Sequence, residues 1–460
     1  MLNGSRTKGS FLGKRAVVIG AGFSGLSAAA ALADFFEEVI VLERDELSDQ
    51  AIARPGVPQG KQAHGILGGA AKGLEELFPG FERDLLQAGA VPVNPGSDVL
   101  LESPDLDPFP LREWGWFVCQ LSRPLLEVTM RHRVEKLGNV RFHSGAIALK
   151  ILGTPDGTAV AGVRYQTLTG TSETLTADFI VDASRHGALT QSFLKAAGWR
   201  LPSETTIGVD IRYATALFQL EPGAIGEFKA VVTYPKAPEE VHFGYLLPVE
   251  HGCFQLLLVG RGEDTPPADG KGFLEYARRK LRTPTIYDAL RGAKRLSEVA
   301  RYAFPESKWR HFGKLDRFPQ GLVPIGDAIC LLNPIYGQGM ALAAQEANAL
   351  RRLLATYRLN ESPFSTLAHQ FLVEAESLVQ EPWIMSAIPD FIYPQTRGER
   401  PEDLQNTLKS QGALNRLATR DADVYELLGE VRHLLKPMSV LSNPDLVSKV
   451  EAMQAEMATT

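Results

Sequence analysis

The stretch GLVPIGDAICLLNPIYGQGMALA, Gly321 to Ala343, reads as a strand, a turn and a helix opened by glycines, with an acid at the junction. Leu322 to Ile325 supply an apolar strand, Gly326-Asp327 turns the chain, and Gly337-Gln338-Gly339-Met340-Ala341 begins the helix. The first amides of such a helix have no internal partner and carry the positive end of the helix dipole, so the junction suits an anion. A second stretch, about three hundred residues earlier, complements it: Arg15-Ala-Val-Val-Ile19 runs into Gly20-Ala21-Gly22-Phe23-Ser24-Gly25 and a helix, reaching about Phe35, that is nearly all Ala and Leu. The strand Glu38-Val-Ile-Val-Leu42 then closes on Glu43-Arg44. The three glycines serve a tight turn, close approach of backbone to a pyrophosphate, and close packing of helix on strand, while Glu43 is placed to accept from a ribose hydroxyl.

At 460 residues the chain exceeds the size at which single cores stop growing, so two or three domains are expected. A hydrophobic share of 44%, a charged share of 22% and a net charge of -6 carry no basic excess for nucleic acid, and a small-molecule ligand is expected. Cys119, Cys253 and Cys330 show neither CxxC nor Cys/His spacing, which argues against a disulfide framework or a metal site and fits a reducing cytoplasm. Residues 1–14 read as a disordered lead with no apolar run of signal length. No window reaches the roughly 18 apolar residues of a membrane span, so no integral membrane segment is expected.

Along the chain, Arg54-Pro-Gly-Val-Pro-Gln-Gly-Lys-Gln-Ala-His64 is a loop before a helix carrying Ile66, Leu67, Leu74 and Leu77. Arg54 and His64 read equally as site residues and as a solvated charge and a helix-end histidine. Residues 85–115 look like a proline-rich insertion, and Ser122 is placed to cap a helix opened by Arg123-Pro124. Strands are expected at 140–152, 158–168 and 175–183, the last ending in Asp182-Ala-Ser-Arg-His-Gly187. From about 200 to 310 the alternation of Val209, Ile211 and Tyr213, and of Val241, Phe243, Tyr245 and Leu247, predicts a separate sheet with one apolar face. Gly260-Arg-Gly262 lacks a third glycine and a following helix, so it is not a second dinucleotide site. The apolar stripes at Leu427 to Leu435 and Leu446 to Met453 predict helices packed in a core.

The glycine-rich start, Glu43, Arg123 and above all GDAxxxxNPxxGQGM resemble the FAD-dependent monooxygenases of the para-hydroxybenzoate hydroxylase type, over most of residues 15–360. RPGVPQGKQAHGIL (54–67), VDAS (181–184) and Glu381-Pro-Trp383 are closer to the branch that contains olefin epoxidases of polyether biosynthesis. The resemblance implies an α/β fold: a Rossmann-like FAD-binding domain of the GR2 type, assembled from residues 15–84, 116–196 and 311–360. It also implies a mixed-sheet substrate domain from 85–115 and 197–310, and a helical region at 361–460. Carried over by position, Gly20, Gly22, Phe23, Ser24 and Gly25 approach the FAD pyrophosphate, Glu43 and Arg44 the adenosine ribose, and Arg123 the phosphate or ribityl region. Asp327 serves the ribityl chain or a phosphate. Pro334 and Arg54 are the flavin-proximal candidates, and Gly337, Gln338, Gly339 and Met340 aim helix amides at the flavin's N1 and O2 edge.

The activity so implied is transfer of one oxygen atom from O2, by epoxidation or hydroxylation, through a C4a-hydroperoxyflavin to a lipophilic secondary metabolite. The family's chemistry is carried by the flavin, so no side chain is singled out as catalytic. Electrons come from NAD(P)H, directly or through a flavin reductase. The second route is left open because Asp182-Ala183-Ser184-Arg185-His186 departs from the Asp-Gly segment that aromatic hydroxylases of this type show. A flavin-dependent halogenase and a dehydrogenase of the geranylgeranyl reductase type are the alternatives. Trp114-Gly115-Trp116 approaches the halogenase WxWxIP signature, but continues as Phe117-Val118.

Overall fold

The computed structural model describes residues 11–360 and 362–459. Of the expected lead, residues 1–10 lie outside the described residues. The remainder is not a free lead: the Leu12 amide donates to Phe35 O (2.8 Å), and the first strand, Gly13–Ile19, already includes Gly13 and Lys14.

Among the described residues, two sheets dominate. The first is a five-stranded parallel sheet in the order Leu322–Pro324, Phe179–Asp182, Gly13–Ile19, Phe36–Leu42, Val140–His143. Its central strands are apolar on both faces, as parallel strands covered by helices must be: Ala16, Val17, Val18, Val39, Val41, Ile180 and Val181 are all buried. The helix Phe23–Leu32 packs against the helix Gly339–Thr356, and the run Ala28 to Ala31 lets the two approach closely. Burying Leu26 and Leu32 there contributes about 1.5–3 kcal/mol each. The chain therefore places the glycine turn and the Gly326-Asp327 junction at the same end of one sheet.

The expected strand at 140–152 is two, Val140–His143 and Ala146–Gly153, because Gly145 takes a left-handed φ of 65° and turns the chain. Likewise 175–183 divides between Ser172–Thr176, in a separate three-stranded sheet, and Phe179–Asp182. The first helix ends at Leu32, short of the expected Phe35, since Phe36 already pairs in the second strand.

The second sheet has eight strands among the described residues and is antiparallel except where Ala230–Thr233 pairs with Val99–Glu102. Its long strand Glu204–Gln219 lies between Ala300–Arg310 and Cys253–Arg261, with Phe243–Val249 beyond. The expectation of one apolar face is corrected here, because both faces are apolar. Ala214, Ala216, Phe218, Leu246, Leu256 and Leu258 pack under the helices Gly270–Lys280 and Thr285–Leu290. Tyr213, Phe243, Tyr245, Leu247 and Leu257, on the opposite face, border a cavity. That face in turn meets the helices Phe364–Asp390, Leu404–Arg420, Ala422–Arg432 and Pro444–Thr459 across the same space.

Candidate functional site

One cavity of about 1530 Å³ runs from the glycine turn to the C-terminal helices. Of the fifteen site residues expected from sequence, thirteen line it; Gly25 and Arg54 stand behind its wall. Gly25 is there for packing: a Cβ at that position would lie 1.9 Å from Gly20 O. Gly20 itself takes φ 102° against the Ala183 carbonyl. The two motifs also touch directly, because a Cβ on Gly326, whose φ is 64°, would fall 2.2 Å from Ser24 Oγ. Neither the helix Phe23–Leu32, at Gly22, nor the helix Gly339–Thr356, at Gln338, is capped by a side chain, so both present free amides to the cavity.

The acids at this end differ in what already occupies them. Glu43 accepts from Ala21 N at 2.7 Å and Asp45 N at 3.0 Å, and pairs with Arg54 at 3.2 Å. A carboxylate offers about four lone-pair sites, so one remains for a ribose hydroxyl. Asp327 lines the cavity, and among the described residues its carboxylate has no hydrogen-bond or ion-pair partner. Burial raises its pKa, with Arg185, Arg123 and Arg310 opposing. Beneath it, Arg310 donates to the carbonyls of Asp327 (3.2 Å) and Ala328 (3.1 Å), and Glu346 accepts from Gly326 N at 2.6 Å. Burial pushes the Glu346 carboxyl up to about 8, against the Gly326 N hydrogen bond.

Glu127 was not legible as a site residue, although Arg123 and Glu127 have the i,i+4 spacing of a helical ion pair. Its carboxylate binds Arg123 at 2.8 Å and Arg54 at 2.7 Å, above the glycine turn. Burial alone would raise its pKa, but the two arginines outweigh that and the net direction is down. Arg54 further donates to Ala21 O (3.1 Å). These contacts hold Arg54 beside Glu43 and the glycine turn, behind the cavity wall. His64 lines the cavity close to Arg123 and Glu127, and burial with the Arg123 charge lowers its pKa to about 4.

At the other end of the Gly326–Gly339 segment lies a network between residues far apart in sequence. Asp390 accepts from Arg261, from Asn333 Nδ2 (2.9 Å) and from Tyr336 Oη (3.3 Å), so the end of the helix Phe364–Asp390 and the second sheet together grip the loop that carries Pro334. Arg261 and Asp390 are 2% and 1% exposed, and Arg261 also lies over the Tyr393 ring at 4.2 Å. Asp182, in the segment expected to bear on nicotinamide use, is consumed internally by Ser184 N (3.0 Å) and Thr190 N and Oγ1 (3.0 and 2.7 Å). Trp114 is a packing residue: it meets Tyr425 at 5.1 Å edge-on and fills the space over Gly429.

A family model described as an FAD binding domain matches residues 14–367. The chain belongs to this FAD binding domain family. The flavoprotein is 32% identical over 401 residues to Protein Rv3254 of Mycobacterium tuberculosis, covering 84% of this chain and 81% of that one. It is 24% identical over 422 residues to Squalene epoxidase 4 of Arabidopsis thaliana, covering 88% and 74%. Its fold matches p-nitrophenol 4-monooxygenase PnpA from Pseudomonas putida, with a TM-score of 0.67 at 16% identity over 92% of this chain and 98% of that chain. The same fold occurs in the brominase Bmp2 (TM-score 0.58, 17% identity, 86% and 92% covered). It occurs too in a flavoprotein/dehydrogenase from Cytophaga hutchinsonii (0.68, 16%, 97% and 100%), so fold likeness does not separate these chemistries. Among the described residues no helix is long and apolar enough to cross a membrane.

The residues present fit FAD. Two uncapped helix starts and Arg123 suit its pyrophosphate and the electron-rich edge of its ring, and Asp327 supplies an unused acceptor for hydroxyl groups.

Proposed function

We propose that this flavoprotein inserts one oxygen atom from O2 into a lipophilic secondary metabolite, by epoxidation of an alkene or hydroxylation of a ring. The observation that carries the reading is the single cavity joining the glycine turn and Asp327 to a chamber walled by Tyr245, Leu247, Leu414, Tyr425 and Leu428. Pockets for one drug-sized ligand measure roughly 300–1,000 Å³, so about 1530 Å³ has room for a dinucleotide and a second molecule beside it. The distant likeness to a squalene epoxidase and the RPGVPQGKQAHGIL stretch favour an alkene.

When bound, FAD supplies the activation of dioxygen and the transfer of its oxygen atom. The chain's part is to hold, orient and exclude water. Gly20, Gly22, Phe23, Ser24 and Arg123 take the pyrophosphate, and Glu43, with Arg44 beside it, takes the ribose. Asp327 accepts hydrogen bonds from hydroxyl groups of the ribityl chain. The first amides of the Gly339–Thr356 helix, reached past Gly337 and Gln338, would serve the ring edge that gains negative charge on reduction, because preorganised donors favour the reduced state. Arg261 and Asp390 fix the Asn333–Tyr336 loop and so the position of Pro334. The apolar sheet face keeps water from the reacting centre, where it would divert oxygen to hydrogen peroxide. Electrons come from NAD(P)H, directly or through a flavin reductase; the internal use of Asp182 favours the second route.

Stopped-flow mixing of photoreduced, FAD-loaded protein with oxygenated buffer, with and without an apolar alkene such as squalene, tests the reading. A transient distinct from both oxidised and reduced flavin, lengthened by the alkene, is expected. Direct return to oxidised flavin under both conditions would move the assignment to a dehydrogenase. Bromide- or chloride-dependent halogenated product would move it to a halogenase.

A further inference from the structure

The C-terminal helices set one guanidinium on a largely apolar wall. Arg432 ends the helix Ala422–Arg432 and lines the cavity with Leu414, Leu428, Val431 and Leu441. It donates to Asn415 Oδ1 at 2.6 Å, and among the described residues it has no carboxylate partner. Glu451 also borders the cavity but is exposed and forms no ion pair with it. At the cofactor end Arg123 is engaged by Glu127 and Arg185 by Tyr302. A guanidinium carries five donors in a planar fork matched to a carboxylate, and among the described residues four of those on Arg432 lack a side-chain or backbone acceptor. Asn415 holds the fork in one orientation beforehand, so a ligand need not pay to order it.

The anchor is also tied to the cofactor end. His433, the next residue, accepts from Gly68 N at 3.3 Å, and the neighbouring Leu67 side chain lies 3.6 Å from where a Cβ on Gly337 would be. Between the two ends stands the aromatic wall of Phe109, Trp114 and Tyr425.

We propose that Arg432, oriented by Asn415, binds the carboxylate of an amphipathic substrate, a carboxylic acid with an extended apolar body laid along the Trp114–Tyr425 wall. The inference rests on the chamber's being the substrate site. It assigns the substrate class as a lipophilic acid rather than a neutral hydrocarbon.

Isothermal titration of the FAD-loaded protein with dodecanoate and with methyl dodecanoate tests it. Wild type is expected to bind the acid more tightly than the ester. Arg432→Gln should weaken dodecanoate about ten- to hundredfold, the loss of a charged hydrogen-bonded pair, and leave the ester unchanged; Arg432→Lys should fall between. Equal binding of acid and ester by wild type, no dodecanoate binding by wild type, or undiminished dodecanoate binding by Arg432→Gln would each overturn it. Should Arg432→Gln fail to take up FAD, Asn415→Leu replaces it, with a several-fold weakening of dodecanoate expected and no change overturning the proposal. Binding is read in oxidised protein without turnover. A chain that binds dodecanoate through Arg432 but shows no flavin–oxygen transient therefore fails the oxygenase reading alone.

Discussion

Replacing Asp390 with Ala is expected to destabilise the protein by about 3–5 kcal/mol, the cost of leaving a buried charge unpaired. The structure makes the charge term dominant. Asp390 and Arg261 are both essentially inaccessible, and without the carboxylate Arg261 keeps only Val209 O (3.0 Å) and the Tyr393 ring, its Nε being already without a partner. Asn333 and Tyr336 lose an acceptor as well, each at the lesser cost of an unmade hydrogen bond. Against a total stability of about 5–15 kcal/mol the loss is large. Because the stranded donors flank Pro334, FAD affinity should fall too, by about tenfold or more, or roughly 1.4 kcal/mol. Urea unfolding followed by tryptophan fluorescence, with a parallel FAD titration, measures both. The double replacement Arg261→Met with Asp390→Leu removes the charges together and should recover most of the stability. A loss under about 1 kcal/mol for Asp390→Ala, or a double variant no more stable than the single one, would refute the reasoning.

Asp327→Ala should abolish stoichiometric FAD retention yet leave the apoprotein as stable or more so, because the enclosed carboxylate has no partner to lose; visible absorbance and thermal unfolding of the apoprotein check the two halves. Gly25→Ala should yield protein without flavin, since its Cβ would meet Gly20 O at 1.9 Å; the ratio of flavin to protein absorbance reads this. His433 is lowered from 6.5 to about 4, by burial and then by the Arg432 charge, and its Nδ1 accepts from Gly68 N. Between those values the unfolded chain takes up a proton that the folded chain refuses, so stability falls as pH drops from 6.5 towards 4 and the added loss levels off below. His433→Phe should lessen that slope in urea midpoints measured across the window, leaving the share that His64, also lowered to about 4, contributes.

The parts of the site that were legible are those where backbone geometry dictates the residue. Gly20, Gly25 and Gly326 sit where a side chain would strike Ala183, Gly20 or Ser24, so the glycine spacing carried the turn and the junction directly. Asp327 was expected from its place beside the junction, and Arg123 from the family resemblance. The Arg261–Asp390 pair was not, because its members are 129 residues apart and each alone resembles a surface charge. The stripes of the C-terminal helices were expected to be core packing, and Leu428 and Val450 do join a small core around Trp114. Both also wall the cavity. An apolar stripe has the same period whether it faces side chains or a chamber for an apolar ligand, which is also why the alternation of Phe243, Tyr245 and Leu247 did not distinguish core from cavity wall.

A crystal structure of the FAD-loaded protein tests the central claim most directly. The account predicts the pyrophosphate between the Gly20–Gly25 turn and Arg123, the ribityl chain on Asp327, and the flavin ring beside Pro334 with the chamber below Tyr425 still open. A flavin bound outside this cavity, or a chamber closed by side chains once FAD is in place, would contradict it.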